Sequence, residues 1–548
     1  MRQKSLAMTA YNQLEKRFGR VGTLHEALAV LGWDHSAVMP AGGSDARGLQ
    51  ISTLEVMAHE ILTAAELPDL FDEAEGQNDL GDWQRANLKE MRRDWLHATA
   101  VPAELVNALS RAGLECDMAW RSARPDNNFA GLLPQLETVL KVTREVAAAK
   151  AAKLGKPLYD ALVDAYEPGG SAAEIDRQFG ELSAFLPDAI DVAIERQKSR
   201  PTPIQPEGPF PIELQRQVGL KFMAALGFDF NHGRLDVSTH PFCGGTPDDV
   251  RITTRYREDD FFRAMMGVLH ETGHALYERG LPTDWRRQPI GRARGASVHE
   301  GQSLLIEMQA CRGREFIEFA APVLREAFGG RGPAWDADNL YRLNTRVARS
   351  VIRVDADELT YSAHVILRYR LERAMIEDQL QLKDLPGAWN DGMRELVGIM
   401  PPDDRDGCLQ DIHWYCGLWG YFPTYTLGAM TAAQLFQAAT TQDPSIKPGL
   451  AKGEFTPLLR WLRMNVHSRG ASVTAGELLA DASGRPLDAT AFQQHLISRY
   501  ATDGVMETAS TADVGDQSEA EPLVRPSDAR SIRPPQYPER DPELHRSG

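Results

Sequence analysis

Polar and apolar positions in this chain follow a helical spacing for most of its length. From about Tyr11 to Lys198, apolar residues recur every three or four positions, as at Val139, Val142 and Val146, with charged residues between them. That period predicts helix after helix, separated by Pro40-Ala41-Gly42-Gly43, Pro102 and Pro168-Gly169-Gly170. Pro201, Pro203, Pro206, Pro209 and Pro211 then predict an extended connector into a second half. Two stretches beyond it, Arg234 to Thr239 and Val250 to Tyr256, alternate β-branched residues and predict a small antiparallel sheet.

The most strongly marked helix follows. Asp259 and Asp260 offer an N-cap, and Phe261, Phe262, Met265, Met266, Val268 and Leu269 leave no polar stripe, so the helix is expected to be buried nearly all round. Arg279 suits its C-terminal end and Pro282 prevents continuation, giving about five turns. Helices resume after Glu300, interrupted by Pro401-Pro402 and by the aromatic stretch ending in Tyr421-Phe422-Pro423-Thr424-Tyr425. From Glu507 to Gly548 the chain is rich in Pro, Ser, Asp, Glu and Arg and poor in large apolar residues, which predicts a disordered tail. The expected organisation is one helical domain over 1–506, with an N-terminal half to about 200 and a catalytic half from 201, followed by a tail over 507–548.

Composition narrows the function. A net charge of -17 argues against general affinity for nucleic acid or anionic membrane. No apolar signal region follows Met1 and no membrane-length apolar run occurs, so neither export nor a membrane anchor is expected. Five scattered cysteines without a C-x-x-C pair fit a reducing cytoplasm.

The buried helix carries the chemistry, His270-Glu271-Thr272-Gly273-His274. Residues four apart share a helix face, so His270 and His274 can converge on one divalent metal ion, Zn²⁺ being the first expectation with Co²⁺ or Mn²⁺ as alternatives. Glu271 lies roughly 100° round the helix, where it can act as general base toward a metal-activated water. A third ligand is needed to leave one open position. Tyr277 and Gly280 break the extended metzincin pattern, and Glu278 would stretch a ligand set over about 12 Å of helix. Glu300, in the next predicted helix, is the first choice and Glu307 the second.

Further motifs occur in order along the chain. His240-Pro241-Phe242, Asp249-Val250-Arg251-Ile252-Thr253, the His270 motif, His299-Glu300-Gly301-Gln302, Ile352 to Asp357 and Gly407 to Trp414 resemble the signature motifs of the metallocarboxypeptidases of the carboxypeptidase Taq type. Gly32-Trp33-Asp34 and Tyr166-Glu167-Pro168-Gly169 extend the likeness over about residues 10–505. The resemblance implies a mainly α body split by a deep groove, as in helical zinc peptidases of the neurolysin kind, and usually a homodimer. It also implies His270, His274 and Glu300 as metal ligands, Glu271 as base, and release of single residues from peptide C-termini with broad specificity.

Such a reaction needs donors for a developing oxyanion, for which His413, Tyr421 and Tyr425 are candidates, and a cation for the terminal carboxylate. Arg353 is the first choice for that clamp and Arg251 the second, with His240 and Tyr425 as further substrate-binding candidates. Asp357 and Asp411 are candidate acceptors behind the ligand imidazoles, or helix caps. The competing readings are an endopeptidase with the same metal centre and an inactive peptide-binding protein with a structural metal.

Overall fold

The computed structural model describes residues 8–502; the expected tail lies outside them. Helices α1 (Ala10–Ala37), α2 (Ser44–Leu62), α3 (Leu67–Glu75) and α4 (Asp82–Ala100) open the chain, and α1, α3 and α4 close on a small core containing Tyr11, Phe18, Phe71 and Met91. The next four helices are α5 (Ala103–Ala123), α6 (Phe129–Leu154), α7 (Leu158–Val163) and α8 (Ala172–Lys198). Their apolar stripes, including Val139 and Ala147, meet a partner from far along the sequence. α14 (Glu358–Ile376) and α15 (Leu385–Leu396) supply Ile366, Met375 and Trp389 to the same core, so it crosses the proline connector at residue 200.

A second large core is built by α9 (Ile212–Ala225), α10 (Phe261–Gly280), α11 (Gly295–Leu304), α12 (Arg314–Ala327) and α13 (Ala337–Asn344), with short helices between Ile446 and Ser483. Helix α16 (Pro423–Gln442) is the wall between the two, giving Met430 and Ala433 to one side and Leu435 and Ala439 to the other.

The sheet departs from expectation. It has three strands, β1 (Gly233–Val237), β2 (Phe242–Thr246) and β3 (Asp249–Thr254), in the order β1-β3-β2. β1 and β3 run parallel, with Gly233 opposite Val250, whereas β2 and β3 are antiparallel. The expected antiparallel pair is therefore a mixed sheet. The missing strand β2 explains the correction, because the chain leaves β1, runs up the far edge as β2, and turns at Pro247-Asp248 back into the middle. Gly244 and Gly245 conceal β2 from a reading based on β-branched alternation. Val250 and Ile252 of β3 pack on Val268 and Ala275, so the sheet braces α10.

Candidate metal centre and active site

Asp260 caps α10 by accepting a hydrogen bond from Arg263 N, and thirteen of its twenty residues are buried. The His270 and His274 rings stand 5.0 Å apart, centre to centre. Glu300 reaches them from α11 because the two helices approach at a glycine. A Cβ on Gly273 would fall 2.7 Å from the Gln302 carbonyl oxygen and from Ser303 Cα, so only a residue without one permits this distance. On the opposite side, a Cβ on Gly428 of α16 would fall 2.9 Å from Glu300 Cβ and Cγ. Glu300 is thus clasped between α10 and α16.

The result is a convergent donor set. One atom from each of His270, His274 and Glu300 lies within 4.8 Å of the others. Glu300 Oε2 is 3.9 Å from His270 Nε2 and 3.5 Å from His274 Nε2. His270 Nδ1 donates to Glu307 Oε2 at 3.0 Å, and Arg312 donates to the other Glu307 oxygen at 2.8 Å. Glu307 sits in the π-helical turn Leu305–Cys311 that continues α11, behind His270 and outside the convergent set. Glu278 is engaged elsewhere, accepting from His299 Nε2 at 2.9 Å, while the His299 ring stacks on His274.

Electrostatics bear on the fit. Burial opposes charge on Glu300, but His270 and His274 outweigh it and hold the carboxyl down to about 2. Burial also opposes charge on His270, yet Glu300 and Glu307 outweigh it and raise the imidazole to about 10. A carboxylate thus faces two imidazole nitrogens. Two imidazoles and one carboxylate fit a divalent ion, which would take the place of the His270 proton. Glu271 is 6% exposed beside them, and burial lifts its carboxyl to about 7, with His270 offsetting part of the rise.

A cavity of about 170 Å³ borders His270, Glu300 and Glu307 and is closed by Leu304, Met308, Tyr361 and Phe492. Tyr361 leads from it to a buried ionic network. Arg353 Nη1 donates to Tyr361 Oη at 2.8 Å, while Nε and Nη2 donate to Asp411 Oδ1 at 3.0 and 2.7 Å. Arg368 holds the other Asp411 oxygen at 2.6 Å. The Arg353 guanidinium carbon also lies 5.4 Å from the Tyr425 ring centre. Tyr425 Oη is 3.4 Å from His413 Nε2, and the Tyr421 and Tyr425 rings meet edge-on at 5.2 Å. Burial, with Arg353 and Arg368 adding to it against Asp411, lowers His413 to about 4, so its imidazole is neutral near pH 7.

A family model described as Carboxypeptidase Taq (M32) metallopeptidase matches residues 13–500. The chain belongs to the M32 family. It is 38% identical to thermostable carboxypeptidase 1 of Thermus thermophilus over 485 residues, 86% of this chain and 94% of that one. It is 34% identical to the Pyrococcus furiosus protein of the same name over 494 residues, covering 89% and 98%. Among solved structures, Trypanosoma cruzi metallocarboxypeptidase 1 superposes with a TM-score of 0.88 at 40% identity, covering 90% of this chain and 99% of that one. This M32 protein is accordingly a metal-dependent carboxypeptidase and a hydrolase.

The other sequence candidates have contacts of their own. Arg251 pairs with Asp249 at 2.6 Å and stacks over Trp33 at 4.3 Å, on the sheet. His240 is exposed in the turn before β2. Asp357 caps α14, accepting from Leu359 N and Thr360 N, and Asp411 serves the two arginines, so their hydrogen-bond partners are not the ligand imidazoles. Trp414, Trp419 and Phe422 are core residues.

Sequence reasoning did not single out Tyr361, which lines the cavity where α14 packs against α16. It also missed Glu372, which accepts from Tyr159 Oη at 2.6 Å and from Trp414 Nε1 and Gly420 N at 2.8 Å. That carboxyl pins the loop carrying His413 and Tyr421.

Proposed function

We propose that His270, His274 and Glu300 hold the metal ion and that Glu271 is the general base of C-terminal peptide-bond hydrolysis. The observation that carries this reading is the convergence of three donor atoms within 4.8 Å beside a buried, otherwise unexplained carboxyl. When bound, the ion supplies Lewis acidity, making water a competent nucleophile near neutral pH and polarising the scissile carbonyl. Glu271 takes the proton of the attacking water and returns it to the nitrogen of the leaving amino acid as the C–N bond breaks. His413 and Tyr421 donate to the oxygen on which charge develops. The neutral His413 imidazole can carry an N–H for that purpose.

Arg353, with Tyr425 beside it, is the cation assigned to the terminal carboxylate. Its three hydrogen bonds to Tyr361 and Asp411 leave two of five N–H donors for a ligand. Asp411 and Tyr361 fix the direction of the fork, which lowers the entropy lost on binding. Arg251, on the sheet, is the second choice for this clamp, and His240 is a further substrate-binding residue.

The donor set accepts Zn²⁺, Co²⁺ or Mn²⁺, and Zn²⁺ is the assigned ion. Broad side-chain specificity, a homodimer and a cytoplasmic setting complete the reading, supported by the family resemblance and by five unpaired cysteines. No described helix is long and apolar enough to cross a membrane. Matched peptides with free and amidated C-termini test the role of the terminal carboxylate. Turnover should fall strongly on amidation, and equal cleavage of the two peptides would contradict an end-recognising site and favour an endopeptidase.

A further inference from the structure

A cleft of about 530 Å³ lies between α4, the end of α6 and the segment Asp164 to Gly169, and none of the groups assigned to hydrolysis lines it. Its charge is opposite to that of the chain. Arg85, Lys89, Arg92 and Arg93 face it from α4, Lys153 and Lys156 from the end of α6, and Arg294 from the segment before α11. Among the lining residues Glu75, Glu90 and Asp164 oppose them, an excess of four positive charges in a chain of net charge -17, and Asp72 outside the lining accepts a further bond from Arg92 at 2.7 Å.

The acids are already committed. Asp164 is shared by Lys156 at 2.8 Å, His97 at 2.8 Å and Arg93 at 3.3 Å; Glu75 pairs with Arg92 at 2.6 Å, and Glu90 with Arg294 at 2.8 Å. Arg85 donates to the Asn78 carbonyl at 3.4 Å, and the Lys153 ammonium stands over the Trp95 ring at 4.9 Å. Lys89 acts on Glu477, a carboxylate whose own bonds go to Thr474. Three cations therefore surround the cleft without a carboxylate bonded to them among the described residues. Like charges held around a concave space repel one another and concentrate an anion that enters.

We propose that this cleft binds a small phosphate-bearing polyanion, such as a sugar bisphosphate. The volume falls within the range of about 300–1,000 Å³ typical of small-molecule sites. Two phosphate groups match the charge excess and can be shared between the α4 and α6 cations. A long nucleic acid is disfavoured by the charge of the surrounding surface, which repels a polyanion that extends beyond the cleft. Segments that line the cleft are hydrogen-bonded to α10 and α11. Glu167, in the lining segment, accepts from Ser297 N at 3.0 Å near the start of α11, and Arg294 N donates to Tyr277 Oη of α10 at 3.0 Å. An occupant thus contacts the segment that fixes both metal-bearing helices.

The test is titration calorimetry and thermal melting of the metal-loaded, full-length enzyme with fructose 1,6-bisphosphate at constant ionic strength, repeated on Lys89→Ser/Lys153→Ser. Both lysines are exposed, and peptide hydrolysis by the double variant should match the wild type. Saturable binding that raises the wild-type melting temperature, weakened at least about tenfold in the double variant, is the expected result. Arg85→Gln should weaken binding in the same direction, giving a second variant should the first fail to fold. Absence of saturable binding to the wild type at millimolar ligand overturns the proposal. Undiminished binding to the variants also does so, placing the anion at the metal centre instead.

Discussion

Gly273 on α10 and Gln302 on α11 lie so close that a methyl group on the glycine would come within 2.7 Å of the Gln302 carbonyl oxygen. This contact sets the spacing between the helix that carries His270 and His274 and the helix that carries Glu300. Gly273→Ala should push the helices apart, costing about 1–3 kcal/mol as overpacking usually does, and should weaken metal retention at the same time. Urea denaturation together with metal content after dialysis checks both effects. Full metal content in a protein of wild-type stability would show that the spacing is not set here.

With the proposed ligand set, Glu307 acts on the metal at one remove, through His270. By accepting from Nδ1 it fixes the His270 ring with Nε2 toward Glu300. Glu307→Gln keeps the shape and removes the charge, and it should weaken metal affinity by about 10–100-fold, the usual effect of losing such a partner. Competition with a chelator measures this directly. A larger collapse, to no measurable binding, would make Glu307 a ligand in its own right.

Glu372 gives the protein a pH dependence separate from the metal. Burial raises its carboxyl from 4.5 to about 7 against the hydrogen bonds of Tyr159, Trp414 and Gly420. The folded state therefore holds this proton more tightly than the unfolded chain. The resulting stabilisation is complete below pH 4.5 and is lost as the pH rises through about 7. Melting temperatures of wild type and Glu372→Gln across that window should converge or cross as this loss proceeds, since glutamine does not titrate. Parallel profiles would contradict the assignment.

How much of this was legible in the sequence depended on how local each cause was. Helix α10 could be read because its cap, its unbroken apolar surface and its two histidines lie within about twenty residues. Glu300 could be ranked above Glu307 but not placed, because its position depends on Gly273 and Gly428, which are distant from it in sequence and close in space. The same distance hid the engagement of Arg353, whose partner Asp411 lies 58 residues away, and the role of Tyr361 behind the ligands. Strand direction was misread for a related reason. β1 and β3 carry the right residues for strands, but their relative direction is decided by the route of the chain through β2, whose glycines give no strand signal.

In the proposed mechanism Glu271 performs proton transfer at a site whose metal is held by other residues. Glu271→Gln tests it most directly, with metal stoichiometry and hydrolysis of a free-acid peptide measured on the same preparation. The variant should retain one equivalent of metal and the wild-type fold while kcat falls by at least about 10²-fold, the scale of a lost general base. Wild-type turnover by a fully metal-loaded Glu271→Gln enzyme would contradict the account.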